Sequence, residues 1–258
     1  MIQEITSAHN PQIKELRALA TSKKARQQNG TFIVEGWRGL DTLLTFESGN
    51  YTLEKLVVTS DWKSDPRLPA DIDTLVLSDP LFGKISDVQN AQGILGVVRH
   101  SPVPFEIQPE SGNYLLLDAI RDPGNLGTLI RSAVGAGFDG VLLYNDCVDP
   151  FNPKVIRSTM GTFAFISIWN VAPEHLNDLK AAGYEFAVTT GREGANLYET
   201  AFGNKMVLVI GSEAHGVSDA LMKQADKKIT IPLKQECESL NAAIAGSICM
   251  FQLSRNSA

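Results

Sequence analysis

The spacing of apolar positions changes character repeatedly along the chain, and each change predicts an element. From Pro11 the spacing is helical: Ile13, Leu16 and Leu19-Ala20 share one face, Asn10-Pro11 supplies the start, and Lys14 and Arg17 fall off the apolar side. Residues 23–30 are basic and polar without a period, and are expected to be mobile. Apolar runs at 31–35, 53–59, 74–77 and 93–99 predict strands. Between them, 36–46 reads as a helix with Trp37, Leu40, Leu43 and Leu44 inward, and Asp79-Pro80 opens a short helix through Phe82 and Ile85. The second half repeats the alternation. Strand 114–117 leads into the turn residues Asp122-Pro123-Gly124-Asn125, and a helix from Thr128 places Leu129, Ala133 and Ala136 on one face before strand 141–143. Pro153 starts a short helix that points Lys154 and Arg157 outward. Strands are expected at 161–168, 185–190, 205–210 and 229–233, and helices at 173–183 and 219–224. Ser239 is the expected cap of a last helix with Leu240, Ile244 and Ile248 in register.

Strands alternating with helices predict an α/β protein in two parts. Residues 101–112, with three prolines and no period, read as a linker between a smaller domain at 1–100 and a larger one at 113–258. Composition, 43% apolar and 20% charged, is that of a globular chain with enough apolar residues for a core. No apolar run approaches the ~20 residues that span a bilayer, and residues 1–6 lack the pattern of a signal peptide, so a cytoplasmic location is expected. Cys147, Cys237 and Cys249 are too few and too scattered for a disulfide framework or a metal pair.

A net charge of −6 argues against a phosphate-rich partner unless the positive charge is concentrated somewhere. It is. Residues 1–38 hold six basic side chains against three acidic ones, and Lys14, Arg17, Lys23, Lys24 and Arg26 cluster. Such a cluster reads either as a solvated helix face or as a nucleic-acid surface.

Three polar loops follow buried strands, at 122–127, 211–216 and 232–239, the first two of them glycine-bearing. In open α/β sheets ligands bind beyond the carboxyl ends of strands, so these loops predict one pocket. Gly124-Asn-Leu-Gly127 does not match G-x-G-x-x-G, which removes the main support for a nucleotide-dependent dehydrogenase, and neither a P-loop nor a G-x-S-x-G elbow occurs. His9, His100, His175 and His215 are too dispersed for a metal site. His215 lies in the second loop, where a bystander role is the plain reading.

Taken in order, Asn125-x-Gly127-x-x-x-Arg131, Gly211-x-Glu213-x-x-Gly216 and Ile231-Pro232-Leu233 with Ser239-Leu240-Asn241 resemble the three motifs of the SpoU/TrmH family of SPOUT methyltransferases. Asp149-Pro-Phe-Asn-Pro-Lys154 and Arg157-Ser-Thr-Met-Gly161 resemble the segment between motifs. A softer likeness joins residues 1–100 to the family's small α/β, ribosomal-protein-like RNA-binding domain. The resemblance implies a C-terminal trefoil-knot domain, a homodimer with its active site at the interface, and methyl transfer from S-adenosylmethionine to a ribose 2′-hydroxyl of structured RNA, ribosomal more than transfer RNA. It implies catalytic roles for Asn125, Arg131, Glu213, Ser239 and Asn241, with Glu213 orienting Arg131 or its counterpart in the partner. Cofactor contacts are implied for Gly211, Ile231, Leu233 and Leu240, and no metal. RNA contacts are expected at Lys14, Arg17, Lys23, Lys24 and Arg26, with Lys154 and Arg157 near the catalytic pocket. Gln235 and Leu233 depart from the family's usual Gly and Met. The rival expectation is an RNA-binding ribosome-assembly protein without methyltransferase activity.

Overall fold

The computed structural model describes residues 1–46, 49–108, 110–191 and 193–255. Its elements run Ile2–Ile5 (β1), Pro11–Thr21 (α1), Lys23–Asn29 (α2), Thr31–Glu35 (β2), Trp37–Thr45 (α3), Tyr51–Thr59 (β3), Asp73–Leu77 (β4), Asp79–Phe82 (α4) and Ile94–His100 (β5). Then follow Gly112–Asp118 (β6), Pro123–Gly135 (α5), Gly140–Tyr144 (β7), Pro153–Thr159 (α6), Ser167–Asn170 (β8), Pro173–Ala181 (α7) and Glu185–Thr189 (β9). Ala195–Asn196 (β10), Lys205–Gly211 (β11), Asp219–Met222 (α8), Lys227–Thr230 (β12) and Ala242–Arg255 (α9) complete the chain.

These elements form two compact units. The first comprises Met1–Val103 together with Asp149–Ala164; the second comprises Pro104–Val148 and Phe165–Ala258, of which 256–258 lie outside the described residues. The segment 149–164, expected within a C-terminal domain at 113–258, therefore packs with the first unit. In that unit five strands are ordered β1-β4-β3-β5-β2, with β1, β4 and β3 parallel and β5 antiparallel to both β3 and β2. Strand alternation sends neighbouring residues to opposite faces. Ile33, Val57 and Leu75 meet Ile13, Leu16 and Leu19 of α1 on one face. Phe32, Val34, Leu56 and Val58 meet Leu40, Ile156 and Phe163 on the other.

Residues 23–30 are not a mobile connection. Ser22 Oγ accepts from the Ala25 N–H at 3.2 Å, and Gly30, at φ 64°, ends the short helix α2. The single buried side chain of α2 is charged: Arg26 donates to Asp149 at 2.7 Å and to the Leu19 carbonyl at 2.6 Å.

The second unit is a seven-stranded sheet, all parallel, ordered β10-β12-β9-β11-β6-β7-β8. Tyr114, Leu116, Val207, Val209, Phe186 and Val188 pack on Leu176 and Leu179 of α7. The expected linker is only partly free. Phe105 and Ile107 pack against this core, and the Tyr184 hydroxyl donates to the Gln108 carbonyl at 3.0 Å; Pro109 lies outside the described residues.

Three local expectations change. Asp122-Pro-Gly-Asn is a helix start rather than a free turn, because Asp122 Oδ1 accepts from the Asn125 N–H at 2.8 Å with Pro123 in the first position. Residues 161–168 are not one strand: a 3₁₀ turn at Thr162–Phe165 precedes β8. The cap of α9 is Asn241, not Ser239; its Oδ1 accepts from the N–H groups of Ala243 and Ile244 at 2.9 and 3.3 Å.

Candidate active site

At the carboxyl ends of three neighbouring strands, β12, β9 and β11, lies a cavity of about 370 Å³. Thr189, Thr190 and Gly191 come from the end of β9, Ile210 and Gly211 from β11, and Ile229 and Ile231 from β12 and its exit. Ser212, Glu213, Gly216 and Val217 line it from the loop after β11. Leu233, Ser239, Leu240 and Asn241 approach from the segment before α9, and Ala242, Ala245 and Cys249 from α9 itself. Isoleucine and leucine make apolar walls, while threonine and serine side chains with the strand-end backbone supply a polar edge.

The loop after β11 is held in a tight reversal by paired backbone bonds between Ser212 and Gly216, at 2.9 and 3.1 Å. A β-carbon on Gly211 would sit 2.1 Å from the Gly216 carbonyl carbon, so only glycine allows this return. Glu213 stands on the reversal. Its carboxylate accepts from the Asn125 amide, and Asn125 Oδ1 in turn accepts from Asn241 Nδ2 at 3.0 Å. The direction of this chain is dictated by helix α9. Because Asn241 Oδ1 is occupied by the first helical N–H groups, its NH₂ must face Asn125. Asn125 must then accept with its oxygen and donate onward, and only an acceptor can receive it. The strand-end loops that supply Asn125, Glu213 and Asn241 are joined by side chains 88 and 116 residues apart.

Cys249 lines the cavity, but burial pushes its thiol up to about 12, so it remains a neutral SH at physiological pH.

A family model described as the SpoU rRNA Methylase family matches residues 112–251. The chain belongs to that family. An MRM3-like substrate binding domain matches residues 10–96. The 23S rRNA (guanosine(2553)-2′-O)-methyltransferase RlmP of Bacillus subtilis (strain 168) is 34% identical over 257 residues, covering 98% of this chain and 99% of that protein. The mitochondrial rRNA methyltransferase 3 of Xenopus tropicalis is 28% identical, covering 93% and 73%. Among solved structures, an AdoMet bound rRNA methyltransferase from Sinorhizobium meliloti superposes with a TM-score of 0.85 at 30% identity, covering 98% of each chain. The α/β fold expected for a SpoU/TrmH methyltransferase is the fold found.

Residues of the second and third motif segments come together at the cavity. Gly211, Ile231, Leu233 and Leu240 all line the cavity, as do Glu213, Ser239 and Asn241. Asn125 joins them through its two hydrogen bonds. Arg131 does not: it is exposed on α5 and has no hydrogen-bond or ion-pair partner among the described residues. Within this chain Glu213 therefore orients Asn125 rather than Arg131. His215, at the loop tip, is not among the lining residues. Thr189, Thr190 and Gly191 are absent from the sequence-based set, although a threonine pair and a glycine at a strand end mark a fourth loop of the same kind.

The basic residues separate. Lys14, Arg17, Lys23, Lys24 and Lys154 are exposed in the first unit. Arg26 is not available to a phosphate, since it is 6% exposed and spent on Asp149. Arg157 does not point outward; it is half-buried between Glu35 at 3.0 Å and Asp87 at 2.7 Å.

Proposed function

We propose that this SpoU-family chain is a methyltransferase that uses S-adenosylmethionine to methylate a ribose 2′-hydroxyl of ribosomal RNA. The observation that carries the reading is the Asn241–Asn125–Glu213 chain at the polar edge of a largely apolar cavity. A cavity of about 370 Å³ is within the range that takes a small organic ligand. Ile231, Leu233 and Leu240 suit the flat apolar faces of adenine, and Thr189, Thr190 and the Gly211 backbone suit its polar edges and ribose. S-adenosylmethionine supplies a sulfonium methyl already activated for transfer. The protein's task is then to hold an acceptor hydroxyl at near-attack distance and to receive hydrogen bonds from it.

Glu213 is oriented for that task by Asn125, and Ser239 and Asn241 line the same cavity. Arg131 offers a rigid fork of N–H donors, so its role is to position the hydroxyl and its neighbouring phosphate. Its exposure within one chain fits a site completed by a second copy. Ile244 and Phe251, 53% and 49% exposed on α9 with Ile248 between them, form an apolar stripe suited to that copy. The N-terminal unit is the RNA-binding part, through Lys14, Arg17, Lys23, Lys24 and Lys154. Ribosomal RNA is favoured because the relatives described above are named for it. A cytoplasmic setting is part of the proposal; no helix among the described residues is long and apolar enough to cross a membrane.

Calorimetric titration with S-adenosylmethionine, followed by mapping of 2′-O-methyl sites in ribosomal RNA with and without the protein, tests the reading. Absence of binding would overturn it in favour of an RNA-binding assembly protein. Arg131→Ala should abolish transfer and leave cofactor affinity unchanged; near-normal turnover would remove Arg131 from the site.

A further inference from the structure

Asp118, the last residue of β6, is 2% exposed and does not line the cavity. A carboxylate buried this far requires donors, and it has two. Asn145 Nδ2 donates to Oδ1 at 2.8 Å, and the backbone N–H of Ser218 donates to Oδ2 at 2.7 Å. Neither is local, the separations being 27 and 100 residues. In the sheet β6 lies between β11 and β7, and Asp118 is paired with Gly211 on one side and Tyr144 on the other. Asn145 follows β7, and Ser218 ends the loop that leaves β11. One carboxylate thus fastens three adjacent strand ends.

The backbone is unusual at the same place. Ala119, Asn145 and Asp146 have φ of 56°, 50° and 48°, a region that side chains rarely adopt and that persists where surrounding contacts enforce it. The Ala119 N–H donates to the Tyr144 carbonyl at 3.0 Å, which joins the two turns directly.

What these ends carry gives the arrangement its meaning. β6 runs through the Asp122 cap into Asn125. β11 runs into the reversal that bears Glu213 and the Gly211–Gly216 wall of the cavity. We infer that Asp118 is a positioning residue for methyl transfer: by gripping the Ser218 N–H it holds the 212–218 loop against the end of β6, so that Glu213 reaches Asn125 and the cofactor wall keeps its shape. The inference rests on the function proposed above and adds a residue outside the three motifs.

The chemistry of the grip sets the test. Both partners are donors, so both carboxylate oxygens are needed. Asp118→Ala leaves the Asn145 amide and the Ser218 N–H without the acceptor they share. Asp118→Asn offers one oxygen to Ser218, and Asn145 can turn its own amide to present oxygen to the new NH₂, restoring both hydrogen bonds. That rescue is lost in Asp118→Leu with Asn145→Leu, which leaves the Ser218 N–H no acceptor at position 118 and strands no amide of its own. Ser218→Ala is a silent control, because the buried Ser218 Oγ has no hydrogen-bond partner among the described residues and only its backbone is gripped.

Hydrogen exchange on the free variants, with calorimetric titration of S-adenosylhomocysteine, reads the outcome. In Asp118→Ala, exchange across 212–218 should rise about tenfold or more, with strand β11 still protected, and affinity should fall about tenfold. Asp118→Asn should recover most of both, and the double variant should lose them again. If Asp118→Ala does not fold, the Asn single variant and the Leu double variant carry the same comparison. Wild-type exchange in the loop of the double variant would overturn the inference, as would an Asn single variant no better than the double. Failure of the wild-type protein to bind cofactor would instead overturn the proposed function, while the loop exchange still reads the grip.

Discussion

Asn241 does two things with one amide. Its oxygen caps α9 and its nitrogen donates to Asn125, so helix stability and site orientation can be separated by substitution. Asp caps about as well as Asn, but Asn241→Asp would set an acceptor against Asn125 Oδ1. The thermal midpoint should stay within about 2 °C of wild type, while methyl transfer falls about 100-fold; an active Asn241→Asp variant would show that the amide chain is not needed. A second contrast lies among the basic residues. Arg26→Ala leaves the largely buried Asp149 carboxylate with the Phe151 N–H but without its counter-charge, and should cost about 3 kcal/mol in denaturant unfolding. The double substitution Lys23→Ala, Lys24→Ala should leave stability alone. It should instead flatten the salt dependence of RNA binding by about 0.7–0.9 in log–log slope for each phosphate that is no longer neutralised.

At the scale of elements, what is legible in the sequence has local causes. Helix α1 announces itself through Asn10-Pro11 and a repeating apolar face, and the buried strands through their apolar runs. The start of α5 lies earlier than the periodicity suggests, at Asp122-Pro123, the same cap-and-proline signal; the following Gly-Asn also reads as a turn and hides it. Helix α2 carries no apolar period at all; what it buries is a guanidinium whose partner lies 123 residues away. In α9 the spacing points the large side chains at 244 and 248 inward. The structure buries Ala242, Ala243, Gly246, Cys249, Met250 and Leu253 instead, small residues among them letting α9 approach α5 closely enough for Ser132 and Ser247 to share a 2.7 Å hydrogen bond. Part of the cavity's lining, Gly211, Ser212, Glu213, Gly216, Leu233 and Ser239, is readable from the strand-end loops. The pairing of Asn125 with both Glu213 and Asn241 is not, since no local pattern encodes hydrogen bonds across such separations. One element has a pH signature. His100, at the end of β5, lies against the rings of Tyr51 and Phe151, and burial holds its pKa below the ordinary histidine value. The unfolded chain then binds the proton more readily than the folded one. Stability of the first unit should fall as pH drops below about 6.5 toward the lower folded value. Chemical denaturation at pH 7.5 and pH 5.5 measures the loss, and His100→Phe should shrink it.

For the whole molecule, the decisive fact is that the first unit is not one stretch of chain. Phe151, Ile156 and Phe163 cover Phe32, Tyr51 and Leu56, and Asp149 neutralises Arg26. Burying side chains of this size contributes roughly 1.5–3 kcal/mol each, a large share of a small domain's margin. A fragment ending at residue 103 should therefore expose an apolar face and unfold without cooperativity. Appending 149–164 through a flexible linker should restore a sharp transition by circular dichroism; a sharp transition in the bare fragment would mean the segment is dispensable.

The same discontinuity bears on how such a protein can be recombined. The chain passes from one unit to the other three times, after Val103, Val148 and Ala164. A substrate-binding domain grafted onto a different SpoU catalytic domain at the single junction near residue 103 would inherit a foreign α6 in place of its own. Arg26, Glu35 and Phe32 would face partners selected with another domain. The heritable module is thus residues 1–103 plus the segment 149–164 lodged inside the catalytic sequence, and only exchanges that move both pieces together keep the pairings intact.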